Sequence, residues 1–257
     1  MEEAMFPPGA VLVVGGSGGV GSAVALEFAR AGSDVALTYL TRDARAEEVA
    51  AEVRNLGRQA TVHRLAIGDA AAVERVVAEA VAAHGRLHTV VAGAGTLATQ
   101  VLLADMTLEQ WTTIMREDLD GFFHLMRACL PRFRAWGGGS FVHLGSAGHL
   151  SWPERDGMSV APKAAIEALV TGIAREEGRH GIRANSVLLG VIEAGMFLEL
   201  TRQGVFGEEW VREVQKALAI KRWGQAAEIG HAAVFLASNR AAYVTGQRIA
   251  VAGGYGL

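Results

Sequence analysis

Two short stretches of the chain hold residue types that can do chemistry at the spacing shown. In VGGSGGVGSAVALEFARAG, beginning at Val14, the glycines Gly15, Gly19 and Gly21 follow a strand-like run and lead into a helical one. Glycine there permits φ > 0 and a close backbone approach, and a helix N-terminus stabilises negative charge, so the pattern suits a pyrophosphate. A glycine loop alone can also be a tight turn; its place after a strand, before a helix and at the head of βαβ units favours the nucleotide. In DGMSVAPKAAIEAL, residues 156–169, Lys163 stands four residues after Ser159. A helix would set that ammonium and that hydroxyl on one face, one turn apart, with Pro162 in the first turn where its missing N–H is tolerated.

These groups need a scaffold, and the rest of the chain supplies one. Apolar runs of strand length recur at 10–15, 34–39, 60–67, 87–93, 140–145, 183–190 and 248–253, separated by amphipathic stretches. Such alternation predicts βαβ units, and the nearly continuous apolar character of the runs predicts strands covered on both faces. Val20, Val24 and Phe28 keep helical spacing, as do Ile166, Leu169, Val170 and Ile173; both stripes read as faces packed on a sheet. The stretch 40–57 reads as a helix charged on its outer side and stopped by Gly57. Residues 195–217 form an extra amphipathic insertion beyond the carboxyl ends of the strands, where a substrate lid would sit.

With 257 residues and no repeat, linker or charge block, the expectation is one α/β domain with a doubly wound parallel sheet of about seven strands. A net charge of -3 gives no basic face for nucleic acid, and no run of about 18 apolar residues suggests a membrane span. The N-terminus is acidic and lacks the positive start of a secretory leader. Cys129 is the one cysteine, so no disulfide framework exists, and a reducing, cytoplasmic setting is expected.

On these residues the chain resembles the short-chain dehydrogenase/reductase family, within it the ketoacyl-carrier-protein reductase-like branch. The spacing Gly15-x-x-x-Gly19-x-Gly21 matches its fingerprint, and the likeness continues through VAGAG at 91–95, GSFVHLGSAG at 139–148, the helix from Pro162 and the segment 221–254. The resemblance implies a Rossmann fold and a nicotinamide nucleotide met by Gly15, Ser17, Gly19, Val20, Gly21, Ile67, Ala92, Gly93, Lys163, Gly190 and Ile192. It also implies a carbonyl-orienting serine at Ser146 and a ribose-holding lysine at Lys163. Tyr39 stands where NAD-preferring relatives carry an acid, and Arg42, with Arg45 nearby, could pair with a 2′-phosphate; this favours NADP(H) over NAD(H), although an arginine at a solvated helix start would look the same.

Two members of the implied catalytic set are changed. The family's tyrosine, four residues before the lysine, is Ser159 here, or Met158 if the frame slips by one, and Tyr39, Tyr243 and Tyr255 all lie elsewhere in the chain. The helix asparagine of the family's water relay aligns with Asp118, which as an anion only accepts hydrogen bonds. A serine hydroxyl is a poor acid, and a positioned acid is worth about 10²–10⁴-fold, so the nearest substitute is His149, with Glu154 and Asp156 close in sequence. The same reading keeps His149 as an exposed loop residue in view. Further cofactor positions also depart: Ala66, Leu189, Ala194 and Ala252 replace residues common in the family.

Three readings follow. One is an NADP(H)-linked oxidoreductase for a ketone or secondary alcohol with an altered proton donor, itself a homodimer or homotetramer. Another is a silent subunit, with no nucleotide bound, that assembles with an active relative through helices within 107–136 and 158–180. The third is a non-redox enzyme on the same scaffold.

Overall fold

The strands form where the apolar runs lie. The computed structural model describes residues 4–95 and 97–257. Strands β1 (Ala10–Val14), β2 (Asp34–Tyr39), β3 (Ala60–Arg64), β4 (Leu87–Ala92), β5 (Gly139–Ser146), β6 (Ile182–Leu189) and β7 (Arg248–Val251) make one sheet in the order β3-β2-β1-β4-β5-β6-β7. All pairings are parallel. The crossovers that parallel pairing demands are helices α1 (Gly19–Arg30), α2 (Asp43–Asn55), α3 (Ala70–His84), α4 (Leu108–Ile114), α5 (Gly121–Ala135), α6 (Gly157–Glu177), α7 (Met196–Arg202), α8 (Glu208–Ala217) and α9 (Ala226–Ala237). This is a doubly wound Rossmann fold, and strand order reverses between β1 and β4, which opens a crevice at their carboxyl ends.

Each strand face buries its own core. Ala10, Leu12 and Val14 of β1 pack with Phe122, Phe133, Ile166, Val170 and Ile173. The alternate residues Val11 and Val13 pack with Val24, Phe28, Val49 and Ile229. Burying such a side chain contributes about 1.5–3 kcal/mol, so both faces of β1 hold it in place and fix the turn that follows. Among the described residues no helix is long and apolar enough to cross a membrane.

The structure differs from expectation at the start of α6. Helix α6 begins at Gly157, so Pro162 lies inside it rather than in its first turn. Lacking an N–H, Pro162 cannot bond the carbonyl of Met158, one turn earlier. The insertion at 195–217 is two helices, α7 and α8, in which Phe197, Phe206 and Trp210 form a ring cluster with Trp223, the closest pair, Phe206 and Trp210, having centroids 4.0 Å apart.

Candidate active site

The turn after β1 is shaped by contacts that exclude side chains. Gly15 has φ +82°, and a Cβ there would lie 2.9 Å from the backbone of Ala94. A Cβ on Gly21 would lie 2.2 Å from the carbonyl oxygen of Gly15. Buried Thr38 of β2 accepts the Gly15 N–H at 3.0 Å, which pins the turn to the neighbouring strand. The N-cap of α1 is Gly18, with no side-chain cap, so the first-turn amides, those of Gly19, Val20 and Gly21, have no side chain turned back on them. Ser17 is buried at the head of this turn. Narrow backbone, positive-φ glycine and uncapped helix amides fit a dinucleotide pyrophosphate.

Facing this loop from the β5 side is a pair of ions. Lys163 Nζ lies 3.1 Å from Asp118 Oδ2, with the two side chains 14% and 2% exposed. The same ammonium donates to the Ser159 carbonyl at 3.4 Å. Asp118 reaches this point from a π-helical stretch, Met115–Asp120, between α4 and α5; such an expanded turn re-aims a side chain and is common at functional sites. The loop after β4 joins both halves: Ala94 packs on Gly15, and a Cβ on Gly95 would be 4.0 Å from both Asp118 Oδ2 and Lys163 Nζ.

Met158 and Ser159 differ in burial: Met158 is 5% exposed in a small apolar cluster with Ala98 and Ile114, whereas Ser159 is half-buried and its backbone carbonyl accepts from Lys163. Ser146, at the end of β5, accepts the Gly148 N–H at 3.0 Å and caps the short turn Ala147–His149. His149 is half-buried rather than an exposed loop residue, and its Nε2 lies 3.3 Å from the Val160 carbonyl, which can only accept, so that nitrogen donates into α6. Its sequence neighbours do not join it: exposed Glu154 lies 3.6 Å from Arg155, and Asp156 accepts from Gln100 at 2.9 Å. Burial pushes the Asp156 carboxyl above its ordinary value, against the Gln100 bond.

The remaining positions line the same edge of the sheet. Ala92 is buried, and Gly93 donates to the Val14 carbonyl at 3.1 Å. The Ile67 carbonyl accepts from His124 at 3.2 Å. Gly190 donates to the Val251 carbonyl at 3.1 Å, and Ile192 is 4% exposed in the core with its carbonyl taking the Ala194 N–H at 2.7 Å. Arg42 is the exposed residue before α2, with no ion pair among the described residues. Arg45 is held by Glu48 at 2.9 Å and turned to its own helix.

Two residues near the site were not anticipated. His143 of β5 and Glu167 of α6 are buried at 3% and 4% side-chain exposure and hydrogen-bonded, Nδ1 to Oε1, at 2.9 Å. The signals were present: a glutamate one turn after Lys163 inside an apolar stripe, and a histidine inside an apolar strand. Only the fold, which brings residues 24 apart into contact, pairs them.

A doubly wound sheet with a glycine loop at its reversal point and a lysine helix beside it defines a nucleotide-dependent α/β enzyme scaffold. Residues 15–256 match the family model described as enoyl-(acyl carrier protein) reductase. L-rhamnose 1-dehydrogenase (NAD(P)(+)) of Sphingomonas sp. (strain SKA58) is 32% identical over 245 residues, covering 95% of this chain and 94% of that protein. The 3-oxoacyl-acyl-carrier-protein reductase FabG of Staphylococcus aureus (strain Mu50 / ATCC 700699) is 30% identical over 243 residues, covering 95% and 96%. A blue fluorescent protein from a metagenomic library, solved in complex with NADPH, superposes with a TM-score of 0.86 at 27% identity, covering 96% and 98%. The chain belongs to the short-chain dehydrogenase/reductase family and is by family a short-chain oxidoreductase.

Proposed function

We propose that the protein is an NADP(H)-linked oxidoreductase for a ketone or secondary alcohol that works without the family phenol. The observation that carries this reading is the Lys163–Asp118 pair, which keeps a cation fixed beside Ser159 at the crevice where the glycine loop opens. A bound nicotinamide nucleotide would supply or accept the hydride. Gly15, Ser17, Gly19, Val20 and Gly21 would hold its pyrophosphate, with Arg42 free to pair with a 2′-phosphate. Ile67, Ala92, Gly93, Gly190 and Ile192 would line the rest of the nucleotide's path.

Ser146 donates a hydrogen bond to the substrate oxygen and orients it. Lys163 adds positive charge near that oxygen, and electrostatic stabilisation of this kind needs no phenol. Ser159 leaves room beside the lysine for water or a bulkier substrate. His149 remains a candidate donor through Nδ1, since Nε2 is committed to α6. Helices α7 and α8 would act as a lid hinged at Gly195, whose φ of +54° and position against Gly19 tie that segment to the glycine loop. A cytoplasmic setting accords with Cys129, a buried thiol pushed up to about 12 by burial and therefore inert.

A second reading has one observation in its favour. Leu108, Trp111 and Phe123 are exposed along α4 and α5, as a face for another subunit would be, and such a face does not depend on a tyrosine at 159. It suits a homodimer or homotetramer as well as assembly with an active relative.

The test is NADPH consumption over a panel of ketones with wild-type protein and Ser159→Tyr. Restoring a positioned acid should raise turnover by about 10²–10⁴-fold. No turnover from either protein would reject the oxidoreductase reading and leave the partner-subunit reading, which co-purification with a tyrosine-bearing homologue would test.

A further inference from the structure

Behind Lys163 lies a second buried charged cluster that the site as described leaves unused. His143 of β5 is the register partner of Ser186 of β6, which is the register partner of Arg248 of β7. Glu167 lies over this row from α6. Its Oε1 is 2.9 Å from His143 Nδ1 and its Oε2 is 3.1 Å from Arg248 Nε, with the Ser186 hydroxyl beside it. Arg248 is 52% exposed, so the row reaches solvent at that end. At the other end His143, Asp118 and Lys163 together line a cavity of about 10 Å³. That is room for about one water, and three polar side chains give it enough partners.

We propose that the His143–Glu167 pair is the proton store of this site, joined to Lys163 through one water in that cavity. This rests on the oxidoreductase reading above. In the oxidation direction the alcohol carbon gives a hydride to NADP⁺ and the C=O bond forms. The hydroxyl proton passes to Lys163 as Lys163 passes one to the water, and the water passes one to His143 Nε2. The imidazolium keeps its Nδ1–H on Glu167, whose carboxylate stabilises it, as a carboxylate does for a catalytic histidine elsewhere. Ketone reduction runs the same transfers in reverse. Asp118 and Lys163 end with the charges they began with, so only His143 changes.

The groups facing His143 are Asp118 from the π-helical stretch, Lys163 and Glu167 from α6, and, through Glu167, Arg248 from β7 and His149 from the turn after β5. Phe122 of α5, at 5.8 Å between ring centroids, and Ala92 of β4 add no charge. Burial lowers the pKa of His143 against the pull of Glu167, which leaves a neutral ring ready to accept at neutral pH. Burial, the largest single influence on Glu167, pushes its carboxyl up, but His143, the Ser186 hydroxyl and His149 together hold it below its ordinary value, so it stays ionised.

The test has two arms. In protein without nucleotide, the ring nitrogens of His143 are followed by NMR through a pH titration in wild type, Lys163→Met and Glu167→Gln. Loss of the lysine should move the midpoint up and loss of the carboxylate should move it down. In the second arm, alcohol oxidation with NADP⁺ is measured against pH. The wild-type rate should fall on the acid side at the NMR midpoint. Glu167→Gln should move that limb down, and His143→Asn should remove it and lower kcat about tenfold or more, with KM unchanged. A wild-type limb away from the NMR midpoint, or one unmoved by either substitution, overturns the proposal. Should His143→Asn not fold, the near-isosteric Glu167→Gln decides alone. If NADP⁺ gives no turnover at all, the oxidoreductase reading has failed, and a His143 midpoint indifferent to Lys163→Met shows separately that the link is absent.

Discussion

The glycine loop after β1 and the lysine helix beside β5 meet at one crevice but use charge in opposite ways. The first is built from backbone: Gly15 and Gly21 allow no side chain, and the only charge on offer is the partial charge of uncapped amides at α1. The second is built from full charges kept away from water, Asp118 against Lys163 and Glu167 against His143. A backbone cradle depends on the glycines themselves, since a Cβ at Gly15 or Gly21 would meet backbone atoms. A buried ion pair depends on both its members, since removing Lys163 takes from the Asp118 carboxylate the cation that lies 3.1 Å away, so the lysine serves the fold as well as any ligand.

The comparison can be broken most forcefully at the ion pair. Lys163→Ala should destabilise the fold by about 3–5 kcal/mol in denaturant unfolding, because the Asp118 carboxylate, at 2% exposure, loses its cation. Adding Asp118→Ala should recover much of that loss. At the cradle the balance reverses: Gly21→Val should abolish NADPH binding by calorimetry, since a Cβ 2.2 Å from the Gly15 carbonyl forces the turn open.

A subtler contrast is between two buried histidines on adjacent strands. His88 of β4 has only neutral partners, Ser33 and Thr89, each at 2.9 Å, and stacks on Phe6, whereas His143 has a carboxylate. Burial, with help from the Arg86 charge, lowers the His88 pKa from 6.5 to about 3. Between those values the unfolded chain binds the proton that the native state refuses. The stability contribution is therefore full above about pH 6.5 and is lost as pH falls toward 3, a few kcal/mol at most. Unfolding free energies of wild type and His88→Gln measured across that window should converge in slope only outside it. The smallest effect concerns the cofactor's outer end. Arg42→Ala should weaken NADPH about tenfold and leave NADH unchanged, the loss of one charge-assisted hydrogen bond.

Much of this was legible in the sequence, and what escaped has a physical pattern. All seven strands lie within their apolar runs or extend them by one residue at an end, β5 at both ends, because a parallel sheet buried on both faces writes its position directly into composition. The glycine loop and the pairing of Ser159 with Lys163 on one helix were readable for the same local reason. The start of α6 was misplaced because Pro162 reads as a first-turn residue, while Asp156 and Gly157 begin the helix a turn earlier. The Asp118–Lys163 and His143–Glu167 pairs span 45 and 24 residues, and no local pattern announces a contact between elements so far apart in the chain. Arg45, the second arginine near the helix start, is held by Glu48, a contact the sequence does not announce.

An NADP(H)-linked function with a serine at 159 requires a working nucleotide site in the half of the crevice formed by the glycine loop. Calorimetric titration of wild-type protein with NADPH tests it most directly. Saturable binding at one site per chain, abolished in Gly21→Val and weakened in Arg42→Ala, is the predicted result; no heat of binding up to millimolar NADPH would contradict it.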